Sequence, residues 1–371
     1  MEKTKTQTVI WSWYPNDELE VSELIGFDLF PGCVIKKEYY DSSKANENDF
    51  NVIIVNYFFS KTDTRPQEDL SWADLVIHYT TEILIGPWEY YEQTVVKHFN
   101  NKNFVSLCNG ISQMEDYPSD RVYVDSQTFF TRIAHYCRPM QITKSSTSSK
   151  DKLFDALLGK DDGRRPKVFE MLKENDLLDK SFVNLYNSDR VDDVETIYRS
   201  PDLNHYEDKR LIGIRHRSAK FLEKLENGKS MSHSIPELIY ANSWYSLVAE
   251  TSSGDHFITN SGTTFITEKI TKCLLAGRIF VLFGDKGILT KLKEYGYKTF
   301  DAIVDESYDL EPNNDVRFSM AFEQVKKLAN MHDHNEIYNK MYETLLHNQE
   351  LLLDHKRRLK GIRDFLSPHM W

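Results

Sequence analysis

The chain has 371 residues, 40% hydrophobic and 13% aromatic, with a formal net charge of −11. That apolar content excludes a disordered chain, and the length exceeds what one core usually fills, so two globular domains are expected. The acidic balance argues against a protein that coats nucleic acid through bulk charge, while leaving a local basic groove open.

The N-terminal stretch MEKTKTQTVIWSWYP lacks the sustained apolar core of a signal peptide, and no apolar run approaches the roughly 20 residues that span a bilayer. A soluble protein without a membrane span is therefore expected in the cytoplasm, or in the host cytoplasm if the chain is viral. Cys33, Cys108, Cys137 and Cys273 stand apart with no CxxC pair, which suits a reducing compartment better than a disulfide framework.

Through the first third, TVIWSWY (8–14), NVIIVNYFF (51–59), ADLVIHYT (73–80) and NFVSLCNG (103–110) each read as a buried strand. PWEYYEQTVVKHF (87–99) carries apolar groups at helical spacing, and strands separated by helices imply βαβ units and a parallel sheet. KSSTSSKD (144–151), with five Ser or Thr and no apolar side chain, reads as a linker. Beyond it come the apolar run KLFDALLG, the helix PKVFEMLKENDLL, the strand SFVNLYN, the helix IPELIYANS, the strand SLVAET, a short helix and the strand RIFVLFG. From PNNDVRFSMAFEQVKKLANM onward the pattern is helical, with apolar spacing at Phe318, Phe322, Val325 and Leu328 and again at Ile337, Met341, Leu345 and Leu352. The expected fold is α/β, with Rossmann-like lobes over 1–143 and 152–310 facing a central cleft and helices over 311–371 bracing both. Such a plan suits a ligand held between lobes, but fold alone does not set the chemistry. RLIGIRHRSAK (210–220) and HKRRLKGIR (355–363) mix cations with an apolar stripe, which fits a basic groove or, more simply, a solvated helix face.

The segment TTFITEKITKCLLAGRIFVLFG (263–284) carries the chemistry. With Thr267 as cap, the first N–H groups and the positive end of the helix dipole offer a seat for a phosphate. Lys269 or Lys272 adds a cation there, and Glu268 is suited to accept from ribose hydroxyls. The plainer alternative is that Glu268 and Lys272 form an i,i+4 surface pair. Upstream, YSLVAET ends a strand in Glu250, a carboxylate near the same place that needs a partner if buried. The intervening SSGDHFITNSGTTF has the composition of a loop that closes over a ligand.

The order of strand, AET, loop, F-x-TEK, helix and LAG-x-x-FV-x-FG resembles the nucleotide-sugar-binding block of the α1,3-fucosyltransferase family. KLFDALLG, RRPKVFEMLKENDLLDK, IPELIYANSWYSLVAET and YGYKTFDAIVDESYDLE further resemble fucosyltransferase-like enzymes of bacteriophages and marine bacteria, over roughly 150 to 325. The resemblance implies a GT-B fold, an acceptor-side lobe at the N-terminus, and a donor lobe over 152–310. It also implies inverting transfer from a GDP- or UDP-type sugar donor. Glu268 matches the residue that holds the donor ribose, Lys269 the lysine facing the diphosphate, and Glu250 a strand-end glutamate near the donor sugar, which sets it among the expected catalytic residues. Tyr245 and Lys272 are grouped with the donor-binding residues. Arg165 matches a diphosphate-clamping arginine, but Lys167 and Val168 follow Pro166 where relatives often carry His-Arg, so Arg164 and Arg165 both remain open for that role.

For the base that deprotonates the acceptor hydroxyl, Glu82 is expected just after a strand over 75–79, with Asp74 and His78 as rivals. No Asp-x-Asp stands at a strand end, and KDDG (160–163) and VDDV (191–194) read as turns, so Arg and Lys are expected to replace a metal as the diphosphate's counter-charge. The acceptor is open between a glycan and a hydroxymethylated base in DNA. The latter needs aromatics such as those of WSWYP and PWEYYEQ to replace lost stacking. A non-catalytic nucleotide-binding module is the third reading.

Overall fold

The computed structural model describes residues 5–12, 29–39, 41–55, 69–84, 88–111, 118–124, 128–144, 149–160, 164–186, 196–203, 212–213, 234–250 and 265–370. The chain divides into two compact units. One comprises Met1–Thr128, Asn260–Thr263 and Asp354–Trp371, and the other Phe129–Thr259 and Thr264–Leu353. The division falls upstream of the Ser/Thr-rich stretch. Among the described residues no helix is long and apolar enough to cross a membrane, and no disulfide links the four cysteines.

The first unit is built on six strands: β1 (Thr8–Ser12), β2 (Val34–Tyr39), β3 (Phe50–Val55), β4 (Leu75–Leu84), β5 (Phe104–Ile111) and β6 (Val122–Val124). They pair in parallel in the order β2-β1-β3-β4-β5-β6, which reverses between β1 and β3. β3 is buried at every position, as a strand covered on both faces must be. After β4, α1 (Trp88–Tyr91) runs on through a π turn over Glu92–Val96 and a 3-10 turn over Lys97–Phe99, and Asn100 ends it at φ 43°. Trp11, whose indole N–H donates to Asn51 at 3.0 Å, and Tyr91 are core residues, so these aromatics of WSWYP and PWEYYEQ are not a stacking surface.

The second unit opens with α2 (Thr128–Tyr136), whose Phe130 meets Tyr297 edge-on at 5.2 Å between centroids. Then follow β7 (Lys152–Lys160), α3 (Arg165–Glu174), β8 (Ser181–Tyr186), β9 (Thr196–Arg199), the short ladder of β10 (Ile212–Gly213) with β11 (Ile235–Pro236), and α4 (Glu237–Ala241). β12 (Ser243–Ala249), α5 (Glu268–Leu275), β13 (Ile279–Phe283), α6 (Ile288–Glu294), α7 (Asn314–Ala329) and α8 (His334–Leu353) complete it. The main sheet has the order β13-β12-β7-β8-β9, parallel except for β9, and reverses between β7 and β12. Helices α7 and α8 bury Phe318, Phe322, Val325, Leu328, Met341, Leu345 and Leu352, while Ile337 is half-buried. The last helix, α9 (His355–Leu366), belongs to the first unit. It buries Arg358, Leu359, Ile362 and Leu366 and exposes Lys356, Arg357 and Lys360, a solvated helix face.

Under the sheet's amino end, Arg278 and Asp155 form a buried ion pair at 2.7 Å. Arg278 also donates to the carbonyls of Tyr240 and Ser243, and the Ser243 and Ser246 hydroxyls donate to Asp155. The DESYD block is structural. Asp305 caps the turn Glu306–Leu310, Glu306 accepts from Thr299 and Phe300, and Asp309 accepts from Leu289 and Thr290 at the start of α6.

Gly277 ends α5 at φ +63°, with the Arg278 N–H closing a turn onto Cys273 O at 2.9 Å. An added Cβ there would fall 2.5 Å from Ile142 Cγ1. Gly277→Ala combines left-handed strain with this overlap and is expected to cost about 2–3 kcal/mol in urea unfolding. A loss below about 0.5 kcal/mol would show that the turn relaxes freely.

Candidate functional site

Three strands bring polar groups to one edge of the second sheet. β7 and β13 flank β12, and the chain continues with Arg164 and Arg165 after β7, Glu250 after β12, and Gly284 and Asp285 after β13. In an open sheet of this winding, ligands sit outside the carboxyl ends of the strands where the order reverses, here between β7 and β12.

Glu250 closes the start of α5. Its Oε1 accepts from the Thr267 N–H at 3.0 Å and its Oε2 from the Thr267 hydroxyl at 2.5 Å. Thr267 is the N-cap and accepts from the Lys269 N–H at 3.4 Å. Two of the first backbone donors are thus already engaged, and a buried carboxylate lies where the sequence suggests a phosphate. Lys269 Nζ lies 3.1 Å from Glu268, 3.2 Å from Thr267 Oγ1 and 3.9 Å from Glu250. Burial, opposed by Lys269, pushes the Glu250 carboxyl up. Burial alone would also raise Glu268, but the charges of Lys269 and then Lys272 outweigh it and hold Glu268 at about 2. Lys272 itself is pulled down by burial, against the opposing charge of Glu268. The ion pair of Glu268 is therefore made with its neighbour Lys269, and Lys272 acts on it through charge.

Arg164 occupies the cap position of α3 without capping it. Its Nη2 donates to Asp285 Oδ1 at 2.6 Å, its guanidinium lies over the Phe318 ring at 5.5 Å, and its buried Nη1 has no hydrogen-bond partner among the described residues. Because β7 and β13 both pair with β12, this ion pair spans the end of β12. Arg165 is buried at the first helical position, ahead of Pro166. Lys167 meets Asp315 at 2.5 Å on the surface.

Asp285 and Arg317 are absent from the expected set. Arg317 is buried and donates to Gly284 O at 3.0 Å and to Glu311 O at 2.5 Å, so it holds the turn after β13. Its pKa is lowered by burial and then by Arg164. The helical periodicity of α7 marks the neighbouring Phe318 but says nothing of an arginine turned inward.

Tyr245 does not join the cluster. It lies five residues before Glu250 on β12, roughly 16 Å along the strand, and its hydroxyl meets His334 Nδ1 at 3.0 Å in the core. Glu82 lies within β4, which runs past the expected end at 79 to Leu84 with a register shift between Thr80 and Ile83. The Glu82 side chain lies outside the described residues. β4 is the strand beyond β3, away from the order reversal of the first sheet. Asp74 pairs with Lys5 at 2.9 Å and accepts from the Asn51 N–H. His78 is buried, with Nδ1 2.7 Å from the Tyr91 hydroxyl and 3.2 Å from that of Ser106, and burial lowers its pKa to about 3.

The loop read at 252–265 falls, but for Phe265, outside the described residues, as do VDDV, all but Lys160 of KDDG, and RLIGIRHRSAK apart from Ile212 and Gly213. Among the described residues no group of three or more His, Cys, Asp or Glu is placed to hold a metal ion. No protein-family model and no curated protein matches the chain.

Proposed function

We propose that the chain is a nucleotide-sugar-dependent glycosyltransferase of GT-B arrangement. It would move a hexosyl or pentosyl group from a nucleoside-diphosphate donor to an acceptor hydroxyl, with inversion and without a required metal. The observation that carries the reading is that the Glu268–Lys269 pair, tied through Thr267 to Glu250 after β12, and Arg164, which follows β7, lie at the same carboxyl edge of the second sheet. Glu268 accepts from the donor ribose, and Lys269 and Arg164 take the charge of the leaving diphosphate. Lys272 adds positive potential. Both oxygens of Glu250 are engaged by Thr267, so Glu250 acts as a positioning residue for Lys269. Glu82 is the proposed base and a glycan hydroxyl the proposed acceptor. Of the aromatics in WSWYP and PWEYYEQ, Trp11 and Tyr91 are buried and would not stack on a flipped DNA base, while Trp13, Tyr14 and the side chains of Trp88 and Tyr90 lie outside the described residues.

A melting-temperature panel with GDP, UDP, CDP and dTDP, with and without EDTA, tests the reading, since a ligand that binds only the native state raises its melting temperature. One diphosphate is expected to give a shift that survives EDTA. In Glu268→Ala the donor Kd should rise about tenfold, roughly 1.4 kcal/mol, with the circular dichroism spectrum unchanged. Unaltered affinity in that folded variant removes Glu268 from the site. Donor binding without product formation on any acceptor leaves a nucleotide-binding module.

A further inference from the structure

At the opposite edge of the second sheet, where β7, β12 and β13 begin, a cavity of about 270 Å³ is lined by Lys144, Lys150, Tyr240, Trp244, Arg278 and Tyr338 among others. Lys150 Nζ donates to Ser243 O at 3.0 Å and lies 3.5 Å from Tyr240 O. Arg278 Nη1 donates to the same two oxygens, each at 2.5 Å. Asp155, the carboxylate that acts on Lys150, is engaged by Arg278 and by the hydroxyls of Ser243 and Ser246.

Two cations therefore share one pair of carbonyls. A neutral amine has two N–H donors, enough for both oxygens, and keeps a lone pair free. The rings of Trp244 at 4.9 Å and Tyr338 at 5.7 Å pull the other way, favouring the ammonium. Burial and then the Arg278 charge lower the Lys150 pKa to about 7, against the opposing pull of Asp155. Burial raises the phenols of Tyr240 and Tyr338, which stay neutral beside it. A desolvated lysine beside a second cation is one recognised way to make an amine nucleophilic near neutral pH.

We propose that Lys150 is a nucleophilic amine that forms imines with small anionic carbonyl compounds entering this cavity, where the exposed Lys144 on its wall supplies positive charge. The amine lone pair attacks the carbonyl carbon. The carbon–nitrogen double bond forms as the carbonyl oxygen leaves in water carrying both amine protons, so no oxidant or reductant is needed.

The test uses the folded full-length chain with glyoxylate, trapping any imine with cyanoborohydride between about pH 5 and pH 10, and maps labelled lysines by peptide mass spectrometry. Lys173 and Lys360 serve as exposed references. Lys150 is expected to label at least about tenfold faster than both at pH 7, with a midpoint near pH 7 and loss of the advantage in urea. Labelling no faster than the references at pH 7, or a rate still rising in parallel with theirs above pH 9, overturns the proposal.

Discussion

Arg278→Met is expected to destabilise the second unit by roughly 3–5 kcal/mol, because it leaves Asp155 buried without its counter-charge. The substitution also removes the donors to Tyr240 O, Ser243 O and the Ser246 hydroxyl, which tie α4 to β12. Burial already pushes the Asp155 carboxyl up, so the variant should take up a proton there and lose stability progressively as pH rises. The measurement is hydrogen exchange along a urea gradient, read on peptides from β7 and β13. The double variant Asp155→Leu with Arg278→Met should recover part of the loss, since an apolar pair of similar volume carries no unpaired charge. A single-variant cost under about 1 kcal/mol would show that the surrounding hydroxyls suffice.

Glu250→Ala should have the second largest effect. It strips the acceptor from both the Thr267 N–H and the Thr267 hydroxyl, in a residue only 2% exposed, at a cost of roughly 2–4 kcal/mol. It also releases Lys269, so under the proposed function donor affinity falls with stability. Glu250→Gln keeps an acceptor for the N–H and is expected within about 1 kcal/mol of the parent at pH 7. The two glutamates carry opposite pH signatures. The folded-state pKa of Glu250 is raised, so its contribution declines as pH climbs above 4.5 through the folded value. For Glu268, held at about 2, the stability is fully present above its ordinary 4.5 and is lost as pH falls toward 2. Urea midpoints from pH 2 to pH 8 separate them. Glu268→Gln should flatten the acid limb and Glu250→Gln should not, and identical profiles for the two variants would refute the assignment.

Much of this was legible along the chain. The runs 51–59, 73–80, 103–110, 181–187 and 278–284 each hold a strand, β3, β4, β5, β8 and β13, because apolar stretches of that length bury on both faces of a parallel sheet. Thr267 caps α5 and Gly277 ends it, since both signals are local. Three strands of the two main sheets escaped for equally local reasons. β2 reads VIKKEY, with charges suited to an edge, β6 has only three residues, and β9 is a short antiparallel edge strand.

The candidate site divides in the same way. Glu250, Thr267, Glu268 and Lys269 stand out in sequence because strand end and helix start are marked by composition. Their contacts do not, for Glu250 engages Thr267 seventeen positions away and so closes a helix start that the sequence shows as open. Tyr245 sits in the same sequence block and yet turns into the core toward His334.

By itself the sequence determined the α/β class, the order of the main elements and the residues at the start of α5, all set by periodicity and capping within a few positions. Only the tertiary structure decided that Asp285 takes Arg164, that Arg317 holds the turn beside them, and that Arg278 and Lys150 meet on the same two carbonyls. Those pairs lie 33 to more than 120 positions apart. Strand order, which no local pattern encodes, is what brings them together.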